Sequence, residues 1–215
     1  MDIDPLPRIK VCGLRGIEDL PDPFPAALDA VGFVGWSRSP RQISAENAAR
    51  IVDAIPQRVL PVAVLVEPSP EEAEQYLRTA GARAVQLCGY ERPEEWIGFP
   101  FPILRRIAVD EEGLEEMEAW TSVARGFVLD HPAAPGGTGV LVQTELARAL
   151  AARGDCLLAG GLHAGNVVDL VRAVRPFGVD ASSKLEGPNQ RKDPALVAAF
   201  VEAASHALAP KDVVR

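Results

Sequence analysis

Eight short apolar segments alternate with helix-forming segments along this chain of 215 residues, and this alternation limits the possible folds more than any other feature. The predicted strands span residues 8–12, 30–34, 59–66, 82–87, 102–109, 126–130, 157–162 and 177–183. Strands that alternate with helices in this way are typical of a (β/α)8 barrel, whereas a doubly wound sheet usually has fewer strands and a glycine-rich first turn. We therefore predict an α/β protein with one (β/α)8 barrel domain over 1–215 and a loose tail after about residue 209.

The helix signals are clear except after the first strand. Ser44 is a good N-cap for a helix that reaches Ile55, and Ser69 followed by Pro70 starts another. Further helices are predicted over 143–153, 165–174 and 194–208. Three prolines at 21, 23 and 25 interrupt the first helical segment, because proline removes a backbone donor and clashes with the preceding turn. We expect a loop there, followed by a short helical piece.

Composition excludes several classes of function. The net charge of −8 argues against nucleic-acid binding, which needs a basic surface, but it permits a small anionic ligand in a local positive pocket. No apolar run approaches the roughly 20 residues of a membrane span. The three cysteines lack the spacing of a disulfide framework or a zinc site. These features predict a cytoplasmic protein without a metal, a membrane or a nucleic-acid partner.

The last two predicted strands end in small residues that suit a phosphate. Gly160 and Gly161 follow the seventh strand, and Ser182 and Ser183 follow the eighth. Such turns expose backbone N–H groups that bind anions, and barrels commonly bind phosphate after strands 7 and 8. The expected ligand is a small phosphorylated molecule.

A thiol and a carboxylate end two other predicted strands. Cys12 and Asp130 would meet at the same mouth of a barrel, where they suit a base and an acid. Taken alone, Cys12 is more often a small buried hydrophobe, and Asp130 a turn cap before Pro132. We place Lys10 on the opposite strand face, where it would not assist Cys12.

Seven segments together resemble the phosphoribosylanthranilate isomerase family, in the family's order from about residue 8 to 200. They are Lys10-Val11-Cys12-Gly13-Leu14, Gly32-Phe33-Val34, Ser39-Pro40-Arg41, Gln86-Leu87, Gly136-Gly137-Thr138-Gly139, Ala159-Gly160-Gly161-Leu162 and Val179-Asp180-Ala181-Ser182-Ser183. The resemblance implies a (β/α)8 barrel that isomerises N-(5′-phosphoribosyl)anthranilate in tryptophan biosynthesis by an Amadori rearrangement, without a cofactor.

The resemblance also implies roles for single residues. Cys12 corresponds to the general base at sugar C2′, and Asp130 to the general acid at the furanose oxygen. Arg41 corresponds to the contact with the anthranilate carboxylate, and Asp180 to a carboxylate beside the ribose hydroxyls. The residues that correspond to the phosphate loops are Gly137, Gly160, Gly161, Ser182 and Ser183. A monomer and a homodimer are equally compatible with the sequence.

The chain departs from the family pattern around the expected site. Cys88 replaces the usual histidine, and for this thiol packing and substrate contact are equally supported. Val140 stands where lysine is common, and Lys184 where glycine is usual. The proline-rich first loop is the fourth departure. Two rival interpretations follow: an isomerase acting on another phosphoribosyl compound, and a catalytically silent barrel that binds a phosphorylated ligand.

Overall fold

The computed structural model describes residues 6–132 and 143–208, and within them eight parallel strands close into a barrel. Each strand pairs with the next along the chain, and the eighth pairs with the first. The strands are β1 (Ile9–Cys12), β2 (Ala30–Val34), β3 (Leu60–Leu65), β4 (Ala84–Leu87), β5 (Ile103–Ala108), β6 (Gly126–Asp130), β7 (Cys156–Leu158) and β8 (Gly178–Ala181). The prediction of a (β/α)8 barrel is confirmed.

Six α-helices surround the barrel in the described part of the chain. They are α1 (Ala45–Ala54), α2 (Pro70–Ala80), α3 (Gly113–Trp120), α4 (Thr144–Ala151), α5 (Val167–Val174) and α6 (Pro194–Leu208). The predicted N-caps are observed, since the Ser44 and Ser69 side chains accept hydrogen bonds from Asn47 N and Glu72 N. No described helix has the length and apolar character needed to cross a membrane.

The segment between β1 and β2 differs from the prediction. A short 3-10 helix, Ile17–Asp19, precedes the three prolines, and no helix follows them before β2. The Asp19 carboxylate accepts hydrogen bonds from the backbone N–H groups of Arg15 and Gly16. This local capping explains why the helical turn forms before the prolines, and the proline segment itself forms bends and a turn without a helix. The expected helical piece after them was wrong.

Two apolar clusters form the core. The larger one lies between the strands and the helices, and it includes the fully buried Phe33, Ile51 and Leu77. The smaller one fills the barrel interior near the amino ends of the strands; its buried members are Leu6, Ala30, Leu60, Val62, Ala84, Leu104, Val128, Leu157 and Ala159. We call this second cluster the lower layer. Strand residues two positions further along point to the same interior space, closer to the carboxyl ends.

The predicted tail after about residue 209, and the glycines at 136, 137 and 139, lie outside the described residues.

Candidate active site

The carboxyl ends of the strands surround one cavity, as expected where all strands of a barrel run in the same direction. Nine of the ten predicted site residues line it: Cys12, Arg41, Cys88, Asp130, Gly160, Gly161, Asp180, Ser182 and Ser183. The tenth, Gly137, lies outside the described residues. The sequence thus identified side chains that the fold brings together from six different strands or the loops after them.

Cys12 is the last residue of β1, and its thiol packs against a glycine of the neighbouring strand. Gly32 pairs with Cys12 in the β1–β2 register, and a Cβ atom added to Gly32 would lie 2.8 Å from Cys12 Sγ. Only glycine leaves room for the thiol at this point. Burial raises the pKa of Cys12, although nearby cations oppose that shift.

Lys10 lies on the same strand face as Cys12, so the predicted placement on the opposite face was wrong. Side chains alternate along a strand, and residues two apart therefore share a face. The Lys10 side chain is fully buried, and its Nζ donates a hydrogen bond to Asp180 Oδ2 at 2.8 Å. Burial disfavours the charged amine, but Asp180 and Cys12 outweigh burial and raise the pKa of Lys10, which remains cationic.

Asp180 uses one carboxylate oxygen to bind Lys10 and leaves the other without a partner. Its Oδ1 atom is buried and has no hydrogen-bond partner among the described residues, and the side chain lines the cavity. Burial raises the pKa of Asp180, while the Lys10 ammonium acts in the opposite direction. A buried acceptor without a partner is costly, so this oxygen is a candidate contact for a ligand.

Asp130 ends β6 with a carboxyl group that favours its protonated form more than an ordinary aspartate does. Burial raises its pKa, and the hydrogen bond from the His131 backbone N–H to Oδ1, at 2.8 Å, lowers it only in part. The neighbouring Arg106 also lines the cavity and donates to the His131 carbonyl oxygen. His131, the first residue after β6, is therefore held beside Asp130.

Arg41 is held in place by a carboxylate that the resemblance did not assign a role. Glu186 accepts hydrogen bonds from Arg41 Nε at 2.6 Å and from Nη2 at 3.0 Å. Glu186 also accepts from Lys192 Nζ at 2.6 Å, and Lys192 donates to the Ser182 carbonyl oxygen at 3.2 Å. Burial opposes ionisation of Glu186, but these two cations outweigh burial and lower its pKa. Arg41 and Ser182, which the resemblance links to the substrate carboxylate and phosphate, are thus joined by one hydrogen-bonded chain.

The sequence analysis did not identify Lys192 as a residue of this site. It lies in an irregular segment before α6, where neither periodicity nor strand position marks a buried side chain. Its neighbour in sequence, Arg191, is partly exposed and pairs with Asp19 instead. Only the return of this segment to the barrel mouth places Lys192 beside Ser182.

The turns after β7 and β8 have the shape expected of a phosphate site. Gly160 and Gly161 have φ values of +86° and +70°, a left-handed conformation that favours glycine. Their N–H groups have no hydrogen-bond acceptor within the described residues. Asn166 Nδ2 fixes the turn by donating to the Gly161 carbonyl oxygen at 3.1 Å. Ser183 and Lys184 complete this side of the cavity.

Cys88 lines the cavity, yet its thiol is largely enclosed. Gln86 Nε2 donates to its Sγ at 3.4 Å, and burial raises the pKa of the thiol to about 12. A neutral thiol cannot reproduce the strong donor and acceptor of the histidine usual at this position. Within residues 6–132 and 143–208, no three His, Cys, Asp or Glu side chains are grouped so that they could hold a metal ion.

Comparisons with known proteins agree with the fold and with the resemblance. Residues 9–203 match the family model described as N-(5′-phosphoribosyl)anthranilate (PRA) isomerase. The N-(5′-phosphoribosyl)anthranilate isomerase of Chromohalobacter salexigens is 36% identical over 208 residues, which cover 94% of this chain and 96% of that protein.

Two crystal structures superpose closely on the barrel. The phosphoribosyl anthranilate isomerase of Thermotoga maritima is 30% identical, with a TM-score of 0.82 over 93% of this chain and 98% of that one. A second such isomerase, in complex with reduced 1-(o-carboxyphenylamino)-1-deoxyribulose 5-phosphate, is 29% identical with a TM-score of 0.79 at the same coverage. The chain therefore belongs to the N-(5′-phosphoribosyl)anthranilate isomerase family, the isomerases of tryptophan biosynthesis.

Proposed function

We propose that this chain converts N-(5′-phosphoribosyl)anthranilate to 1-(2-carboxyphenylamino)-1-deoxyribulose 5-phosphate, with Asp130 as general acid and Cys12 as general base. The observation that carries the assignment is one cavity that holds a carboxyl group of raised pKa, a thiol, an arginine and an open pair of glycine N–H groups. This set matches a substrate with a sugar, a carboxylate and a phosphate. The family to which the chain belongs supports the same substrate.

Asp130 is suited to the first proton transfer. Because burial raises its pKa, a larger fraction of this carboxyl carries a proton than would be so in water. That proton passes to the furanose ring oxygen as the C1′–oxygen bond breaks and the ring opens. The nitrogen lone pair forms the C1′–nitrogen double bond at the same time, so the charges balance.

Cys12 lies at the cavity where it could carry out the second transfer, with nearby cations opposing the effect of burial on its thiolate. Its thiolate accepts the proton from C2′, and the electrons of the C2′–hydrogen bond form a C1′–C2′ double bond as the imine nitrogen regains its lone pair. The resulting enol loses its hydroxyl proton as C1′ takes up a proton, which gives the ketone of the product, and proton exchange with solvent restores Asp130 and Cys12. No oxidant or reductant is consumed, and we propose that the chain works without a cofactor.

Binding groups at the two ends of the substrate fix the sugar between acid and base. We assign the phosphate to the turns with Gly160, Gly161, Ser182 and Ser183, and Gly137 outside the described residues to the same site. Arg41 retains its Nη1 group for the anthranilate carboxylate, because Glu186 takes Nε and Nη2. Asp180 Oδ1 accepts a ribose hydroxyl, and Cys88 contacts the ligand from β4.

We also propose that residues 1–215 form a single barrel domain that acts in the cytoplasm, as a monomer or a homodimer. None of the described helices is long and apolar enough to cross a membrane. Light scattering during size-exclusion chromatography distinguishes the two oligomeric states.

Direct turnover tests the function. Freshly prepared N-(5′-phosphoribosyl)anthranilate is followed by fluorescence, with its spontaneous breakdown subtracted, for the wild type and for Asp130→Asn. Asp53→Asn on the exposed face of α1 is the matched control. We expect saturable turnover that Asp130→Asn lowers strongly and Asp53→Asn leaves unchanged. Absence of turnover with tight binding of the reduced product would favour the silent barrel, and absence of both would favour another substrate.

A further inference from the structure

We propose that Lys10 is a positioning residue for the isomerisation: its buried ammonium stabilises the thiolate of Cys12 and orients Asp180 toward the substrate. The inference rests on the proposed function of Cys12 as the base. Lys10 itself is fully buried and does not line the cavity, so it acts through its two neighbours and does not touch the ligand.

The placement of Lys10 follows from strand geometry. Lys10 and Cys12 are two residues apart on β1 and share the interior face, and Lys10 pairs with Asp180 in the β1–β8 register. Lys10 is therefore two residues closer to the amino ends than Cys12, and its ammonium is beside the Asp180 carboxylate. Gly32 of β2, on the other side of β1, contributes no side chain. The charged groups next to Cys12 are therefore Asp180 on β8 and Lys10 on β1 itself.

Stability does not explain a lysine at this position. Removing a buried ion pair from water costs several kcal/mol per ion, and apolar replacements of such pairs are often neutral or stabilising. The lower layer around it is aliphatic: Ala30 pairs with Lys10 in the β1–β2 register, and Leu104 and Leu157 belong to the same cluster. An apolar residue at position 10 would continue that layer, so we attribute the charge to the chemistry above it.

The other charged groups around Cys12 do not replace Lys10. Asp180 opposes the thiolate, and Lys192 favours it, but burial lowers the pKa of Lys192 and its ammonium is shared by Glu186 and Ser182. Cys88 across the cavity is a neutral thiol, and Asp130 on β6 is negative when ionised. Arg41, near Gly13, is neutralised by Glu186. Lys10 is the largest cationic influence on the pKa of Cys12.

The same ammonium accounts for the orientation of Asp180. Its hydrogen bond uses Oδ2, which leaves Oδ1 as the buried oxygen without a partner at the cavity. Without Lys10 the carboxylate would lose its only described hydrogen bond, and its rotamer would no longer be fixed. One residue therefore serves both the base and the group that receives a sugar hydroxyl.

Alkylation of Cys12 by iodoacetamide tests this inference without requiring turnover. The background is Cys88→Ser with Cys156→Ala, in which Cys12 is the only thiol and the adduct is located by mass spectrometry. We expect Lys10→Met to move the alkylation midpoint to higher pH, with at least about tenfold slower reaction at a pH below both midpoints. Asp180→Asn removes the opposing charge and should move the midpoint to lower pH.

The double variant Lys10→Met with Asp180→Asn keeps the test interpretable if the single variant fails to fold. Lys10→Met leaves Asp180 buried alone, whereas Lys10→Met with Asp180→Asn neutralises the pair and keeps the interior uncharged. Because Lys10 has the larger influence, this double variant should still shift the midpoint upward, but by less than Lys10→Met. Unchanged alkylation profiles in the folded variants would overturn the inference.

Turnover separates this inference from the proposed function. If the wild type fails to isomerise the substrate but its alkylation profile shifts as expected on substitution, the proposed function fails and the Lys10–Cys12 coupling stands. If turnover by the wild type is normal and the profile does not respond to Lys10→Met, only the inference about Lys10 fails. With both correct, the acidic limb of kcat/KM for Lys10→Met shifts to higher pH, which a purely structural role would not cause.

Discussion

The two ends of the barrel interior use the same strand faces for opposite chemistry. In the lower layer, Ala84, Leu104 and Val128 fill the space between β4, β5 and β6 with aliphatic side chains. Two residues further along the same strands are Gln86, Arg106 and Asp130, which line the cavity. We call the polar interior residues at the carboxyl ends the upper layer; on β1 and β8 it includes Lys10, Cys12 and Asp180.

This difference separates stability from function within one set of strands. Apolar burial in the lower layer stabilises the barrel, while each buried polar group above carries a desolvation cost that only a ligand or a specific partner offsets. Asp180 Oδ1 has no such partner in the described residues, and burial disfavours the charged form of Asp130. Substitutions in the upper layer should therefore lower turnover with little loss of stability, whereas substitutions in the lower layer should lower stability with little loss of turnover.

The largest effect is expected for Cys12→Ala. Removing the general base should lower kcat by about 10²- to 10⁴-fold, with little change in KM or in thermal stability. Cys156→Ala is the matched control, because Cys156 is a buried thiol of β7 that packs outside the barrel interior. It should retain kcat and lose stability. Steady-state kinetics together with thermal unfolding distinguish the pair; equal turnover in the two variants would contradict the assignment of the base.

Leu104→Ala should give the reverse result. Leu104 is fully buried in the lower layer, and its truncation should lower the free energy of unfolding by about 2 to 5 kcal/mol. Since its side chain does not line the cavity, kcat measured well below the unfolding temperature should be close to that of the wild type. Urea denaturation and turnover measure the two quantities. A large loss of kcat in a folded Leu104→Ala protein would show that the layers are not separable.

Arg41→Lys tests substrate anchoring in the upper layer. Lysine keeps the charge but cannot hold Glu186 with two nitrogens while it binds a carboxylate with a third. We expect kcat/KM to fall about 10- to 100-fold, mainly through KM, as for a lost hydrogen bond to a charged group. Arg50→Lys on the exposed surface of α1 is the control. A change in kcat alone would argue against a binding role.

Asp130→Asn should stabilise the protein although it lowers turnover. Because burial raises the pKa of this carboxyl above its unfolded value, ionisation in the folded state costs free energy as pH rises through the folded pKa. The stability gain of the Asn variant should be absent below the unfolded pKa, grow as pH rises, and reach about 0.5 to 2 kcal/mol at neutral pH. Urea denaturation over a pH series measures it. A gain that is constant with pH would contradict the account.

The sequence predicted the barrel and most of its mouth because both depend on local patterns. Apolar runs identified all eight strands, and their ends were placed within a few residues, with β7 stopping at Leu158 since Gly160 and Gly161 adopt positive φ. Cys12 and Asp130 were found as strand-end residues. A residue at the end of a strand can be identified from the sequence of that strand alone.

What the sequence did not reveal depends on contacts between distant segments. Lys10 was misplaced although its two-residue spacing from Cys12 contained the answer, and a lysine in an apolar strand is a departure that signals a buried partner. That partner, Asp180, is 170 residues away. Lys192 and Glu186 had no local signal, because only the packing of the loop before α6 against the cavity gives them their partners.

A crystal structure with reduced 1-(o-carboxyphenylamino)-1-deoxyribulose 5-phosphate bound to this chain tests the central claim most directly. We predict the phosphate on the N–H groups of Gly160, Gly161 and Ser183, the carboxylate on Arg41, and sugar carbon C2′ within contact distance of Cys12 Sγ, with Asp130 across the sugar. A phosphate bound elsewhere, or a sugar that contacts neither Cys12 nor Asp130, would contradict the proposal that the upper layer performs this isomerisation.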